Sequence, residues 1–136
     1  MTYLLDTCAA IWLMAGDKLS DLALRKIEES ADNNIPILVS PVTAWEVGML
    51  SSKGRLPLSH GPLRWYEDLV GLSQILETEL SPKIMIGSSF LGSSVPLDPF
   101  DRMIIATARN QDATIITRDR KIIAFAEMGN CKVLEC

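Results

Sequence analysis

The chain has 136 residues, 48% hydrophobic and 22% charged, a size and balance that suit one compact domain able to bury roughly two-thirds of its unfolded surface. A net charge of −4 and a pI near 4.9 exclude a general nucleic-acid coat, because backbone affinity needs clustered Lys and Arg, and leave room only for a local basic rim. Three cysteines (Cys8, Cys131, Cys136) without metal spacing and a lone histidine, His60, argue against zinc, disulfides and a Ser-His-Asp triad.

Taken in order, TYLLD (2 to 6) is a short apolar run ending in an acid, and CAAIWLMA reads as a helix behind it. This start lacks the basic residues and long apolar centre of a signal peptide, and no apolar run is long enough to span a bilayer, so a cytoplasmic protein is expected. Asp21 opens a second helix, with Leu22, Ala23, Ile27 and Ala31 recurring at three and four residues, which fades into DNN at 32 to 34. IPILVS (35 to 40) predicts a buried strand, with Ser40 as N-cap and Pro41 as first residue of a helix through about Leu50. GRLPLSHGP reads as a loop, PLRWYEDLVGLS as a helix, QILETE as a short strand, and PKIMIGSSFL as a helix after Ser81 and Pro82. Asp98 and Pro99 open a strong helix through about Asn110; ATIIT (113 to 117) is a strand, 120 to 128 a short helix and CKVLEC a final strand. Strands alternating with helices predict an α/β fold, a parallel sheet covered on both faces.

In such a sheet, sites form at the carboxyl ends of the strands. Asp6 follows the first strand and Asp119 lies two residues past TIIT, while Glu46 and Asp101 fall in the opening turns of their helices. All four reach the same edge. Carboxylates converging there repel one another until protons or cations intervene, and hard divalent cations such as Mg²⁺ or Mn²⁺ answer that need. A metal there activates water and stabilises charge on a phosphoryl group, which is the chemistry of phosphodiester hydrolysis.

Plainer roles stand beside this. Asp98 suits an N-cap, Asp101 favours the positive end of the helix dipole, Asp119 suits a cap of the following helix, and Glu46 suits a helix surface. Asp6 is hardest to dismiss, because an acid ending a buried strand is costly without a partner. Thr7, Thr43 and Thr117 suit water, carboxylate or turn hydrogen bonds, and Ser40 a cap before a substrate contact. Arg102 and Arg118 are either phosphate contacts or partners of the acids, and Arg120, Lys53 and Arg55 complete the basic rim. Trp12, Trp45 and Trp65 read as core or interface anchors before base-stacking platforms.

Together, "YLLDT", "SPVTAWEVGMLSSKGRLPL", "DPFDRMIIATA" and "TIITRD" resemble, nearly end to end, PIN-domain proteins and among them the VapC-type ribonuclease toxins of bacterial toxin-antitoxin pairs. The resemblance implies one PIN domain over residues 1–136, a PIN-like three-layer fold with about five parallel strands between helices, and Mg²⁺-dependent endoribonuclease activity. It also implies dimerisation and inhibition by a cognate antitoxin. The family pattern places its metal-binding acids on Asp6, Glu46, Asp101 and Asp119, with Asp98 a less regular neighbour. Cys8, Leu50 and Leu97 depart from the pattern, at positions that bear on substrate contacts.

Two other readings compete. An aspartyl-phosphate phosphatase built on "LLDTC" fails because Cys8 stands where a second acid is needed. A binding module would use the acidic pocket to grip a partner's arginine without catalysis. Under the ribonuclease reading, Trp12, Leu13, Trp45, Met49, Leu50 and Leu56 offer an apolar groove in which an amphipathic antitoxin segment docks and places a basic side chain near Asp6, Glu46, Asp101 and Asp119, displacing metal.

Overall fold

The computed structural model describes residues 1–17, 19–92, 95–96 and 98–136; the Leu97 departure lies outside them. Among the described residues, seven helices and five strands follow in the order β1 (Tyr3–Leu5), α1 (Thr7–Ala15), α2 (Asp21–Asp32), β2 (Ile37–Val39), α3 (Val42–Ser52), α4 (Gly61–Val70), β3 (Ile75–Glu77), α5 (Pro82–Gly87), α6 (Pro99–Gln111), β4 (Thr114–Thr117), α7 (Arg120–Glu127) and β5 (Lys132–Glu135). The strands form one parallel five-stranded sheet in the order β3-β2-β1-β4-β5.

The two-residue repeat of a strand divides the core. Tyr3, Leu5, Ile37, Val39 and Ile116 pack on one side with Ala9 and Ala10 of α1, Ala23 and Ile27 of α2, and Tyr66 and Leu69 of α4. Leu4, Leu38 and Ile115 point the other way, into Val42 of α3, Ile84 of α5, Ile104 and Ile105 of α6, and Ile122 and Phe125 of α7. Burial on both faces explains why the central strands read as unbroken apolar runs.

The expected elements are all present, with shifted ends. Helix α3 begins at Val42 because Pro41, already in helical dihedrals, occupies the capping position; the Ser40 hydroxyl still accepts from Val42 N–H at 3.1 Å. Helix α5 stops at Gly87, short of the expected Leu91, and Ser88 turns its hydroxyl back onto the Met85 carbonyl. Trp45 is not a core residue: it is 52% exposed. Among the described residues no helix is long and apolar enough to cross a membrane.

Candidate active site

The strand order places the site. From β1 the chain steps to β2 and β3 on one side, then returns to β4 on the other, so the order reverses between β1 and β4. Asp6 and Asp119 follow those two strands, at the crevice where open α/β sheets bind ligands.

Asp6 is 6% exposed and performs two tasks. Its Oδ1 accepts from Ala9 N–H at 2.8 Å, capping α1, and its Oδ2 accepts from the Thr117 hydroxyl at 2.5 Å. Burial raises its pKa, the Thr117 and Ala9 bonds oppose that, Asp119 adds to it, and Arg118 opposes it. Asp119 caps α7 through Oδ1, which accepts from Lys121 and Ile122 N–H at 2.9 and 3.0 Å. Asp98 likewise caps α6, accepting from Phe100 N–H at 2.8 Å. Capping and site membership are thus compatible, since the Asp98 and Asp119 caps are made through Oδ1 alone and both residues also line the cavity.

Glu46 reaches the same place from α3 and Asp101 from α6. Burial raises Glu46, opposed by the Thr7 hydroxyl and reinforced by Asp98, Asp6 and Asp119. Burial pushes Asp101 up to about 7, with Asp119, Asp98, Glu46 and Asp6 adding to the effect. The Thr7 and Thr43 hydroxyls, 36 residues apart in sequence, meet at 3.1 Å in a buried pair beneath Glu46's helix. The five acids line one cavity of about 270 Å³ together with Thr7, Cys8, Trp12 and Arg118.

Cys8 has its thiol pushed up to about 12, first by lost hydration on the cavity side and then by Asp6, Glu46, Asp101 and Asp119. These effects favour the protonated thiol over the thiolate. Arg118 is held from two sides: its Nε donates to the Cys136 carbonyl at 2.8 Å, and its guanidinium lies 3.8 Å from the centre of the Trp12 ring. The Cys136 role was not foreseen; it arises because β5 pairs with β4, bringing the chain end beside Arg118. Arg102 is turned to structure, donating from Nε to the Pro96 carbonyl at 2.8 Å, and Arg120 pairs with Glu135 at 3.1 Å. Lys53 and Arg55 are exposed past the end of α3. Ser40 is fully buried and does not line the cavity.

All-oxygen carboxylate donors with raised pKa values suit a hard divalent cation, which keeps several waters and needs only one or two carboxylates directly. Among the described residues no three His, Cys, Asp or Glu side chains are gathered tightly enough to form a ligand cluster on their own. A larger cavity, of about 450 Å³ between α5 and α6, is bordered by Lys83 and Arg109 over apolar walls and contains none of the site acids. The candidate site acids all line the smaller one.

The PIN domain family model matches residues 3–128. Among curated proteins, the chain is 29% identical over 121 residues to Ribonuclease VapC22 of Mycobacterium tuberculosis, covering 89% of each chain. Among solved structures it resembles VapBC2 from Rickettsia felis bound to a DNA fragment from their promoter (TM-score 0.72, 18% identity, 99% of this chain and 98% of that one). It also resembles a toxin-antitoxin complex from Klebsiella pneumoniae (TM-score 0.60, 26% identity, 97% and 95%). With its parallel sheet, its acids at the switch point and a family match across most of its length, the chain belongs to the PIN-domain family.

Proposed function

We propose that this chain is a metal-dependent endoribonuclease of the VapC type, the cytoplasmic toxin of a toxin-antitoxin pair. The observation that carries this reading is the convergence of Asp6, Glu46, Asp101 and Asp119 on one cavity at the sheet's switch point. Those four would hold Mg²⁺, with Mn²⁺ as a substitute, and the bound ion supplies a lowered water pKa and positive charge for the phosphoryl oxygens.

The chain's own groups prepare the site. Thr117 and Ala9 N–H fix both oxygens of Asp6, so its carboxylate does not reorient during reaction. Thr7, backed by Thr43, steadies Glu46. Arg118, clamped on Trp12, offers the cavity a cation that a phosphate can meet. The substrate is RNA, cut at a phosphodiester bond by water. Likeness to solved toxin-antitoxin complexes supports a cognate protein antitoxin as partner; a homodimer is the assembly that the family resemblance implies.

The test is cleavage of a labelled RNA by purified protein. Mg²⁺ should support cutting, EDTA should abolish it, and Asp6→Asn and Asp101→Asn should each remove most of it with the fold intact. Full Mg²⁺-dependent cleavage by either variant sinks the assignment. The second reading, a binding module whose acids receive a partner's arginine, rests on the absence of a tight ligand cluster among the described residues. It predicts no cleavage with any divalent ion.

A further inference from the structure

Next in sequence to two of the cavity acids stands an aromatic pair whose placement the site does not require. Trp45 and Phe100 meet with ring centroids 4.7 Å apart and planes at 80°. Trp45 immediately precedes Glu46 on α3, and Phe100 immediately precedes Asp101 on α6, so the pair bridges the two helices one residue from two of the site acids. The partners are unequal. Phe100 packs on the core cluster that includes Ile104 and Ile105, whereas Trp45 is 52% exposed. An edge-to-face contact covers at most one face of the indole, so at least one face of Trp45 is not covered by Phe100.

We propose that this exposed indole face, braced by Phe100, is the seat for one unpaired base of the RNA next to the bond that is cut. The proposal rests on the reading of the chain as an RNA-cleaving enzyme. Its logic is electrostatic. Five carboxylates line the cavity against one basic side chain, Arg118, while Arg102 and Arg120 make contacts elsewhere, so charge alone holds a polyanion weakly at this point. An uncharged contact adds to what Arg118 and a bound cation supply against that repulsion. Stacking on an indole provides it, because every base has a π-face, and only a strand unpaired at this position can present one. The seat therefore selects single-stranded RNA or loops over duplex and discriminates weakly among base identities.

The test uses a short single-stranded oligoribonucleotide that the wild-type protein cleaves in Mg²⁺, with the cut position mapped. An abasic ribonucleotide is then placed at each position flanking the cut. At one of these positions the abasic change should lower kcat/KM by about 5- to 150-fold, the range that loss of one base stack implies. Trp45→Ala should cost a similar factor on the intact strand, and the two changes together should cost no more than either alone. Trp45→Phe keeps a ring and should recover much of the loss, and thermal unfolding of both variants checks that the fold is retained. Independent, multiplying losses overturn the base seat, as does Trp45→Ala with unchanged cleavage. Loss of antitoxin inhibition in Trp45→Ala, with cleavage untouched, overturns it in favour of a protein-docking role. A wild-type protein that cuts no RNA in Mg²⁺ or Mn²⁺ removes the functional reading itself, and the seat falls with it.

Discussion

The Thr117 hydroxyl, at the end of β4, donates to Asp6 Oδ2 at the end of β1, joining residues 111 apart in sequence across the sheet's switch point. The same oxygen accepts from Asp119 N–H at 3.0 Å, so one side chain fixes two of the site acids. Thr117→Val keeps the shape and removes both bonds, leaving a buried carboxylate short of a donor. The expected cost is about 1–3 kcal/mol, a Tm lower by roughly 4–10 °C, with cleavage reduced as Asp6 loses its orientation. Thr117→Ser should restore most of both. Differential scanning calorimetry of the pair checks this; equal Tm values for Val and wild type would show that the hydroxyl contributes nothing.

Asp101 makes a prediction about pH. Its carboxyl is pushed from 3.8 to about 7 by burial and by Asp119, Asp98, Glu46 and Asp6. Between those values the folded chain holds a proton that the unfolded chain has lost, so stability from this group is full below about 3.8 and is lost as pH rises through about 7. Asp101→Asn removes the titration. In EDTA, the variant should therefore gain on wild type as pH rises, and be the more stable of the two at pH 8. Adding Mg²⁺ at that pH should raise the wild-type midpoint more than the variant's, because binding to the folded state alone is stabilising. Denaturant midpoints across pH, with and without Mg²⁺, measure both; parallel curves for the two proteins count against a repelling acid cluster.

Asp98 separates capping from chemistry. Its exposed carboxylate caps α6 and also lines the cavity. Asparagine caps as well as aspartate, so Asp98→Asn should keep stability and most activity, while Asp98→Ala should lose about 1 kcal/mol. A large loss of kcat in Asp98→Asn with an unchanged Tm would move Asp98 into the reacting set.

Much of this was legible in the sequence because the fold writes itself locally. Strands β1, β2 and β4 are buried on both faces, so they stand out as apolar runs, and Asp6 and Asp119 stand out as the acids that end two of them. The order of these pieces implied a shared edge. What the sequence withheld were pairings set by strand order: Thr7 with Thr43, Thr117 with Asp6, and Arg118 with the Cys136 carbonyl all join segments distant along the chain. Trp45 was left between core and interface for a related reason. A tryptophan on a mostly apolar helix reads equally as core or as surface anchor, and only the packing decides: Trp45 meets Phe100 and stays 52% exposed. The rim arginines were equally ambiguous, since a guanidinium beside an acid motif reads the same whether it bonds a carbonyl, as Arg102 does, or faces the cavity, as Arg118 does.

Arg118 carries the last prediction. Its side chain is exposed, yet its position is fixed by the Trp12 ring beneath the guanidinium and by the Cys136 carbonyl on Nε. A planar, permanently charged group held in this way brings positive charge to the cavity it lines, and holding it in place beforehand lowers the entropy lost when a phosphate binds there. Arg118→Ala should weaken RNA binding and flatten the dependence of log Kd on log salt by about one phosphate contact. Arg118→Lys should keep the charge but lose the stack and the bidentate fork, restoring the salt slope without restoring the full affinity. Trp12→Leu should imitate it, because the guanidinium remains but is no longer held. Arg120→Ala serves as the contrast: its pair with Glu135 is solvent-exposed on both sides, so its removal should change stability by no more than about 0.5 kcal/mol and leave the salt slope as it was. Fluorescence anisotropy at several salt concentrations, on the Asp101→Asn background so that RNA is bound without being cut, measures all four. Equal salt slopes for Arg118→Ala and Arg120→Ala would show that Arg118 serves the acids and the chain end and does not reach the substrate.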